Sequence, residues 1–327
     1  MDFRLDEGQL ELRDTVRRYC AARFGWERIA QRDGERIDRS AWREMAELGI
    51  FALLAREARG GLGLGVVESA LVFEQLGAHL VGGPVLWTAL AAAHVDGAAH
   101  GERLVGGVVQ DDVDGGPVIV EHARDIDALL VLRRDGVFLC AGSDLPAFTA
   151  LAPLDPLTPV GRATALPHGA RVGDAHDAAG LCLVGTVLSA AMLLGVSDAA
   201  LESSRRYALE REQFGAPIGS FQAVQHMLAD MYVRTALARS ALYAAAAVLD
   251  DPGIGDPMGA GATAKILAGE AALENARVAI QVYGGMGFTW EMLPNYLLKR
   301  AWVLEHAFGD ADSHALSLGA RIEDMSA

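Results

Sequence analysis

Apolar residues recur at every third or fourth position near the start of the chain. Leu12, Val16 and Tyr19 follow this spacing, which places their side chains on one face of an α-helix. A glycine-rich break at residues 59–63 lacks the lysine that completes a phosphate-binding loop, so it predicts a turn between helices. We therefore predict a helical domain over residues 1–101.

Short apolar runs separated by Asp and Gly define the middle of the chain. Runs of this length that are bounded by turn residues are typical of β-strands. We predict a small antiparallel β-domain over residues 102–175. The runs lie at residues 104–109, 117–120, 128–132 and 136–140.

The helical spacing returns in the last part of the chain. Val224, Met227 and Met231 recur at the spacing of one helix face. The Pro- and Gly-containing segment 250–257 predicts a loop between two long helices. We predict a C-terminal four-helix bundle over residues 176–327, which makes the fold class mainly α with a small central β-domain.

Charge and composition exclude several functional classes. The net charge of −15 argues against nucleic-acid binding, which needs clustered Lys and Arg. The three cysteines are far apart and in no metal-binding spacing, so we expect no metal site and reduced thiols in a cytoplasmic protein. The first residues show no signal-peptide pattern. The uncharged run 178–197 could just span a bilayer, but it is rich in small residues and lacks flanking basic clusters. We predict a buried helix there and no membrane partner.

A set of polar and glycine residues in the C-terminal half has the chemistry of a dinucleotide site. An arginine can donate two hydrogen bonds to a pyrophosphate, and glycines let a ligand approach the backbone. Glutamine side chains offer both donors and acceptors to the polar edges of a nucleotide. The candidate cofactor-binding residues are Arg211, Gln213, Phe214, Gln222, Gln281, Gly284, Gly285 and Gly287.

The order of these residues resembles the acyl-CoA dehydrogenase family. The matching segments are Arg211-Glu-Gln-Phe-Gly, Gln222, and Gln281-Val-Tyr-Gly-Gly-Met-Gly. Members of the family use FAD to oxidise acyl-CoA thioesters at the α and β carbons. The resemblance implies an acyl-CoA dehydrogenase-like fold. It also implies that these residues hold the adenine and pyrophosphate end of an FAD bound mainly by a partner subunit.

Two features of the family are missing from the chain. Its catalytic Glu occupies one of two positions, which match Phe308 and Gly185 here, and neither residue can accept a proton. The middle domain is short and lacks the motifs that contact the flavin ring in the family. The nearby carboxylates Glu305 and Asp310 are weak substitute bases, and we expect His306 to be structural.

A kept cofactor motif together with a missing base resembles the base-lacking subunit of heterotetrameric acyl-CoA dehydrogenases associated with sterol side-chain degradation. In that branch each pair of unlike subunits shares one FAD. The resemblance implies a base-bearing catalytic partner, an acyl-CoA substrate and an electron-transfer flavoprotein as acceptor. Two alternatives stay open: a homomeric dehydrogenase with Glu305 or Asp310 as a relocated base, and a non-catalytic acyl-CoA-binding or scaffold protein.

Overall fold

The computed structural model describes residues 5–32, 34, 36–110 and 116–326. The chain forms two compact units. One contains Met1–Arg32, Ala70–Val81 and Thr186–Ala327, and the other contains Asp33–Ser69 and Gly82–Gly185. These units follow packing rather than chain order. The domain boundaries after residues 101 and 175 follow composition along the chain, and they stay a prediction.

The first unit is built from helices. Aspartates cap two of them: the Asp6 carboxylate accepts from the Gln9 backbone N–H, and the Asp256 carboxylate accepts from that of Met258. Helix α7 packs against α6, α8 and α9. The helices are α1 (Glu7–Arg23), α3 (Val66–Ala78, which also contributes to the second unit), α5 (Ala175–Glu210, likewise), α6 (Gln222–Asp250), α7 (Pro257–Tyr283), α8 (Leu293–His306) and α9 (Ala311–Ser326).

Glycines bring α3 and α5 into backbone contact. A Cβ on Gly77 would lie 2.1 Å from the Met192 carbonyl oxygen, and one on Gly195 would lie 2.0 Å from the Glu74 carbonyl oxygen. Any larger residue at either position would force the helices apart. Gly77 in α3 and Gly195 in α5 therefore set this helix crossing.

By length and composition alone, helix α5 could cross a bilayer. Two thirds (67%) of its most apolar window is buried in the protein. That burial is what a core helix of a globular protein requires. The packing therefore supports the prediction of a buried helix.

The second unit combines short helices with two small sheets. Its helices are α2 (Arg39–Glu47) and α4 (Val85–Ala91). Strands β1, β3, β4 and β7 form one sheet in that order, and β2, β6 and β5 form the other. The strands are β1 (Val105–Val109), β2 (Val118–Glu121), β3 (Ala128–Arg133), β4 (Gly136–Ala141), β5 (Thr149–Leu151), β6 (Val160–Ala163) and β7 (Ala170–Gly173).

The prediction of an entirely antiparallel domain is wrong in one place. Strand β1 pairs in parallel with β3, with Val105 opposite Ala128. The reason is that β2 lies between them in the chain but joins the other sheet, so β3 returns to β1 in the same direction. The four predicted runs all contain strands. The sequence analysis missed β5, β6 and β7, which have three or four residues each.

Candidate functional site

The two halves of the candidate cofactor motif begin side by side. Tyr207 lies in the last turn of α5, and Tyr283 is the last residue of α7. Their rings stack with centroids 4.0 Å apart and an interplanar angle of 12°. The Tyr283 hydroxyl also donates to the Ser203 carbonyl oxygen, at 3.3 Å. The pair therefore fixes the helix end before Arg211 against the helix end before Gly284.

A tight hairpin follows α5 and carries the first half of the motif. Strand β8 (Glu212–Gln213) pairs with β9 (Ala216–Pro217). Phe214 and Gly215 form the loop between them, with φ of 54° and 81°. Positive φ at both loop residues is the geometry of a type I′ hairpin turn. The turn leaves the Phe214 ring 95% exposed. This ring makes an edge-to-face contact with the Phe221 ring, with the centroids 6.2 Å apart.

The polar residues of the motif face solvent on this chain. The Arg211 guanidinium has no hydrogen bond or ion pair with any residue in the described part of the chain. The Gln213 amide donates only to the neighbouring carbonyl oxygen of Glu212, at 2.6 Å. A cation and several amide groups are thus available to a bound group or a second chain. Those exposed residues are Arg211, Gln213, Gln222 and Gln281.

The three glycines after α7 have different roles. Gly284 has a φ of 63°, which a side chain would strain. A Cβ on Gly285 would meet no atom within 4 Å, so the space above its backbone is open. A Cβ on Gly287 would lie 2.7 Å from the Ile280 carbonyl oxygen. Gly287 is therefore required by packing within the chain, while Gly284 and Gly285 both leave open space beside the backbone.

Exposed aromatic side chains surround this region. Phe288 is 71% exposed and lies in the turn Gly284–Phe288, and Trp290 is 50% exposed. The Lys299 ammonium lies 3.9 Å from the centroid of the Trp290 ring, which holds a cation beside it. The sequence alone assigned no role to Phe288 or Trp290. Their exposure marks them as candidate contact residues, and exposure could not be read from the sequence.

The α8–α9 turn contains Phe308, one of the two residues expected from the resemblance to stand at the base positions. Phe308 has a φ of 58°, uncommon for a residue other than glycine. Its carbonyl oxygen accepts from the His314 ring, at 3.1 Å, and from the Thr186 hydroxyl, at 3.5 Å. Thr186 follows Gly185 directly in the chain. Neither Gly185 nor Phe308 has a side chain that can take a proton.

Both substitute carboxylates bind the start of α9. The Glu305 carboxylate accepts from the Ala311 backbone N–H at 2.9 Å, and the Asp310 carboxylate accepts from the Ser313 backbone N–H at 2.8 Å. Hydrogen bonds from Ser313 lower the pKa of Asp310. These contacts give Glu305 and Asp310 capping roles. His306 lies 3.4 Å from the Glu305 carboxylate and is largely exposed.

Sequence reasoning missed a buried cation beneath this turn. Lys265 is 1% exposed, and its ammonium donates to the Ala307 carbonyl oxygen at 2.5 Å, to that of Leu304 at 2.8 Å and to the Ser189 hydroxyl at 3.2 Å. Burial lowers its pKa to about 7, against the opposing effect of Glu305 and Asp310. Lys265 therefore caps the carboxyl end of α8. A lone lysine in the alanine-rich run of α7 was the available signal.

Family models match most of the chain. The acyl-CoA dehydrogenase C-terminal domain matches residues 183–323, and the acyl-CoA dehydrogenase N-terminal domain matches residues 6–99. The described strands from β1 to β7 lie between these two ranges.

Individual relatives extend over nearly the whole chain. The acyl-CoA dehydrogenase IpdE2 of Mycobacterium tuberculosis is 33% identical over 301 residues, covering 89% of each chain. The ChsE4–ChsE5 complex from the same species contains a chain with 29% identity and a TM-score of 0.86, with 99% of both chains covered. The Tcur3481–Tcur3483 steroid ACAD, solved as a G363A variant, has 25% identity and a TM-score of 0.83, covering 98% of this chain and 99% of its own. The chain described here belongs to the acyl-CoA dehydrogenase family.

Proposed function

We propose that this chain is the non-catalytic subunit of a heteromeric, FAD-dependent acyl-CoA dehydrogenase. It contributes the adenine and pyrophosphate contacts of an FAD whose flavin ring is bound by a base-bearing partner. The observation that carries the proposal is the Tyr207–Tyr283 stack. It joins the exposed Arg211 hairpin to the open turn at Gly284, while the family's base positions hold Phe308 and Gly185.

The residues present fit the nucleotide end of FAD. Arg211 offers a guanidinium without a described partner, and Gly285 leaves open space above its backbone. A pyrophosphate needs this combination of a fixed positive charge and close backbone approach. Gln281 and Gln222 would bind the polar edges of the nucleotide. FAD, when bound, supplies the hydride acceptor for oxidation of the acyl-CoA thioester.

The exposed aromatics support a second chain at the same surface. Phe214 and Phe288 expose most of their rings, and such rings clustered around a polar site are typical of protein interfaces. Partner binding would bury these rings and enclose the nucleotide. The arrangement accounts for a cofactor site whose polar residues are exposed on their own chain.

Several features disfavour a relocated base. A base must be free to take the α-proton of the thioester, and it must lie within hydrogen-bond reach of that proton. The carboxylates of Glu305 and Asp310 accept hydrogen bonds from the start of α9 instead. The proton would therefore be taken by a carboxylate of the partner. With Phe308 at the base position, an acyl group bound to this chain itself would find no catalytic base there.

The name of one relative supports a steroid substrate, and that of another supports a heteromeric assembly. One solved structure with 25% identity is a steroid ACAD, and another with 29% identity is a two-protein complex. We infer a CoA thioester of a steroid side chain as the substrate class.

An electron-transfer flavoprotein would reoxidise the cofactor, as it does in the family. We expect the complex in the cytoplasm, and buried Cys20, whose pKa burial raises to about 12, fits a thiol that stays reduced.

The proposal is tested by removing the Arg211 guanidinium in the complex. The chain is co-expressed with a base-bearing homologue, as Arg211→Ala and as the control Arg205→Ala. Arg205 is exposed on the same helix end and pairs with Glu202. Charged hydrogen bonds contribute about 1.5–3 kcal/mol each, so Arg211→Ala should weaken FAD binding at least about tenfold.

The readouts are FAD content by visible absorbance and subunit assembly by size-exclusion chromatography. We expect Arg211→Ala to lose flavin while it still assembles, and Arg205→Ala to keep both. Full flavin occupancy in Arg211→Ala would show that this chain does not hold the pyrophosphate.

A further inference from the structure

A pocket separate from the candidate cofactor residues lies in the helical unit. Its volume is about 610 Å³, and its walls come from α1, the 3₁₀ segment Trp26–Arg32, α3, α5 and α6. Small-molecule sites commonly occupy about 300–1,000 Å³. Neither Arg211 nor the glycines after α7 line it. The side chains that matter for its chemistry are Arg17, Trp26, Arg32, His79, Glu202 and Arg206.

Two acidic side chains of the pocket share one guanidinium. The Glu74 carboxylate is 7% exposed, accepts from the Tyr243 hydroxyl at 2.6 Å and pairs with Arg239 at 3.1 Å. Asp198 pairs with the same Arg239 guanidinium at 3.0 Å. Both carboxylates are therefore bound by Arg239 rather than by Arg17 or Arg206.

Two arginines from different helices lack such partners. Arg17 on α1 and Arg206 on α5 are exposed, and neither guanidinium has an ion pair or hydrogen bond with a residue in the described part of the chain. Both act on Glu202, whose pKa is lowered first by its bond to Arg205 and further by Arg206 and Arg17. Glu202 itself is bound to Arg205 at 2.8 Å. The pocket thus keeps positive charge on a chain whose overall charge is −15.

A third arginine and a flat apolar surface complete the pocket. Arg32 donates to the Leu80 carbonyl oxygen at 3.3 Å, and its guanidinium carbon lies 5.6 Å from the centroid of the Phe24 ring. Burial lowers the pKa of His79, and the charges of Arg17 and Arg32 lower it further, so the ring stays neutral. Trp26 is 41% exposed at the rim. The cations therefore lie next to an aromatic surface.

We propose that this pocket binds a small organic phosphate that carries a flat ring. Guanidinium groups from separate helices, here those of Arg17 and Arg206, suit a phosphate, because its oxygens can accept from several arginines at once, whereas one arginine satisfies a carboxylate bidentately. The ring would lie against Trp26. The volume accommodates a ring and a phosphate together.

The proposal is tested with phenyl phosphate and the full-length chain by titration calorimetry. The double variant Arg17→Ala/Arg206→Ala removes two of the phosphate donors. We expect its dissociation constant to rise at least about tenfold. The matched control is Arg18→Ala/Arg211→Ala. It removes the same charge from neighbouring positions, and neither of its residues lines the pocket.

The control also separates the two proposed sites. Phenyl phosphate binding that survives Arg18→Ala/Arg211→Ala but not Arg17→Ala/Arg206→Ala supports the pocket, whether or not Arg211 proves to hold FAD. Binding that is lost in the control instead would assign the phosphate to the Arg211 hairpin and overturn the pocket.

Inorganic phosphate tests the recognition of the ring. We expect it to bind more weakly than phenyl phosphate, and Trp26→Ala to abolish the difference. Equal binding of the two anions would overturn ring recognition. No binding of phenyl phosphate, together with failed subunit assembly in Arg17→Ala/Arg206→Ala, would assign these arginines to a protein interface and overturn the proposal.

Discussion

The rings of Tyr207 and Tyr283 stack at the junction of two helix ends that are 76 positions apart in sequence numbering, with centroids 4.0 Å apart. One ring ends the helix that leads into the Arg211 hairpin, and the other ends the helix that leads into the Gly284 turn. The contact explains how two short motifs can come together in the proposed nucleotide-binding surface. Burial also raises the pKa of the Tyr283 hydroxyl, so this ring stays neutral in the physiological range.

Removing the stack should loosen the candidate cofactor site. Tyr207→Leu keeps apolar bulk but loses the ring contact, and we expect it to cost about 1 kcal/mol of unfolding free energy. FAD affinity of the complex should fall with it. Tyr283→Phe is the control, because it keeps the ring and removes only the bond to Ser203. Urea denaturation and flavin titration measure the two effects, and equal FAD affinity in Tyr207→Leu and the unmodified complex would refute the positioning role.

Two neighbouring glycines should separate binding from folding. Gly287→Ala places a methyl group against the Ile280 carbonyl oxygen and should destabilise the chain by about 1–3 kcal/mol. Gly285→Ala meets no atom of the chain and should leave thermal stability unchanged. In the complex, however, Gly285→Ala should lower FAD content because the methyl group occupies the approach to the backbone. A Gly285→Ala complex with full flavin would show that no ligand approaches there.

The two carboxylates at the start of α9 should prove structural. Glu305→Gln and Asp310→Asn keep an oxygen that can accept the capping hydrogen bonds but cannot act as a base near neutral pH. We expect the turnover of the complex to be unchanged in both variants. General base catalysis contributes about 10²–10⁴-fold. A fall in turnover of that size in either variant, with assembly and flavin content intact, would restore the relocated base.

The buried Lys265 should make stability depend on pH. Its pKa is about 7 in the folded chain, while the unfolded chain keeps an ordinary lysine pKa. Between these values the unfolded chain binds more protons, so the free energy of unfolding should rise with pH. The slope attributable to this group approaches about 1.4 kcal/mol per pH unit at its steepest.

Lys265→Met is the reference for this titration. The difference in unfolding free energy between the two proteins should change from pH 7 to pH 10 in favour of Lys265. The chain has only two lysines, so ¹⁵N-lysine NMR can follow the group directly, with Lys299→Arg to assign the signals. A Lys265 signal that titrates near pH 10 would mean that the carbonyl oxygens around it outweigh burial.

The sequence predicted the helical parts of the fold better than the strands. Helices repeat their apolar period over several turns, and Val16 and Met231 on the predicted faces are buried. Strands such as β5 have three residues, all exposed, so no apolar alternation marks them. The parallel pairing of β1 depends on which sheet β2 joins, and the pattern of a single strand carries no information about that.

The sequence indicated which residues form the candidate site, and their cofactor role stays a prediction, but it did not indicate how each of them is packed. The order of Arg211, Gln281 and Gly285 along the chain indicated a nucleotide site. It could not distinguish the open Gly285 from the packed Gly287, because that depends on the path of α7. Lys265 and the arginine-lined pocket depend on helices that are distant in sequence. Such arrangements are set by tertiary packing alone.

The most direct test of the account is the amount of FAD bound per chain. The chain is purified alone and after co-expression with a base-bearing homologue, and flavin is measured by visible absorbance against protein concentration. We predict no bound flavin in the isolated chain and about one FAD per pair of unlike subunits in the complex. One FAD per chain in the isolated protein would contradict the account, because it would require a complete flavin site on this chain.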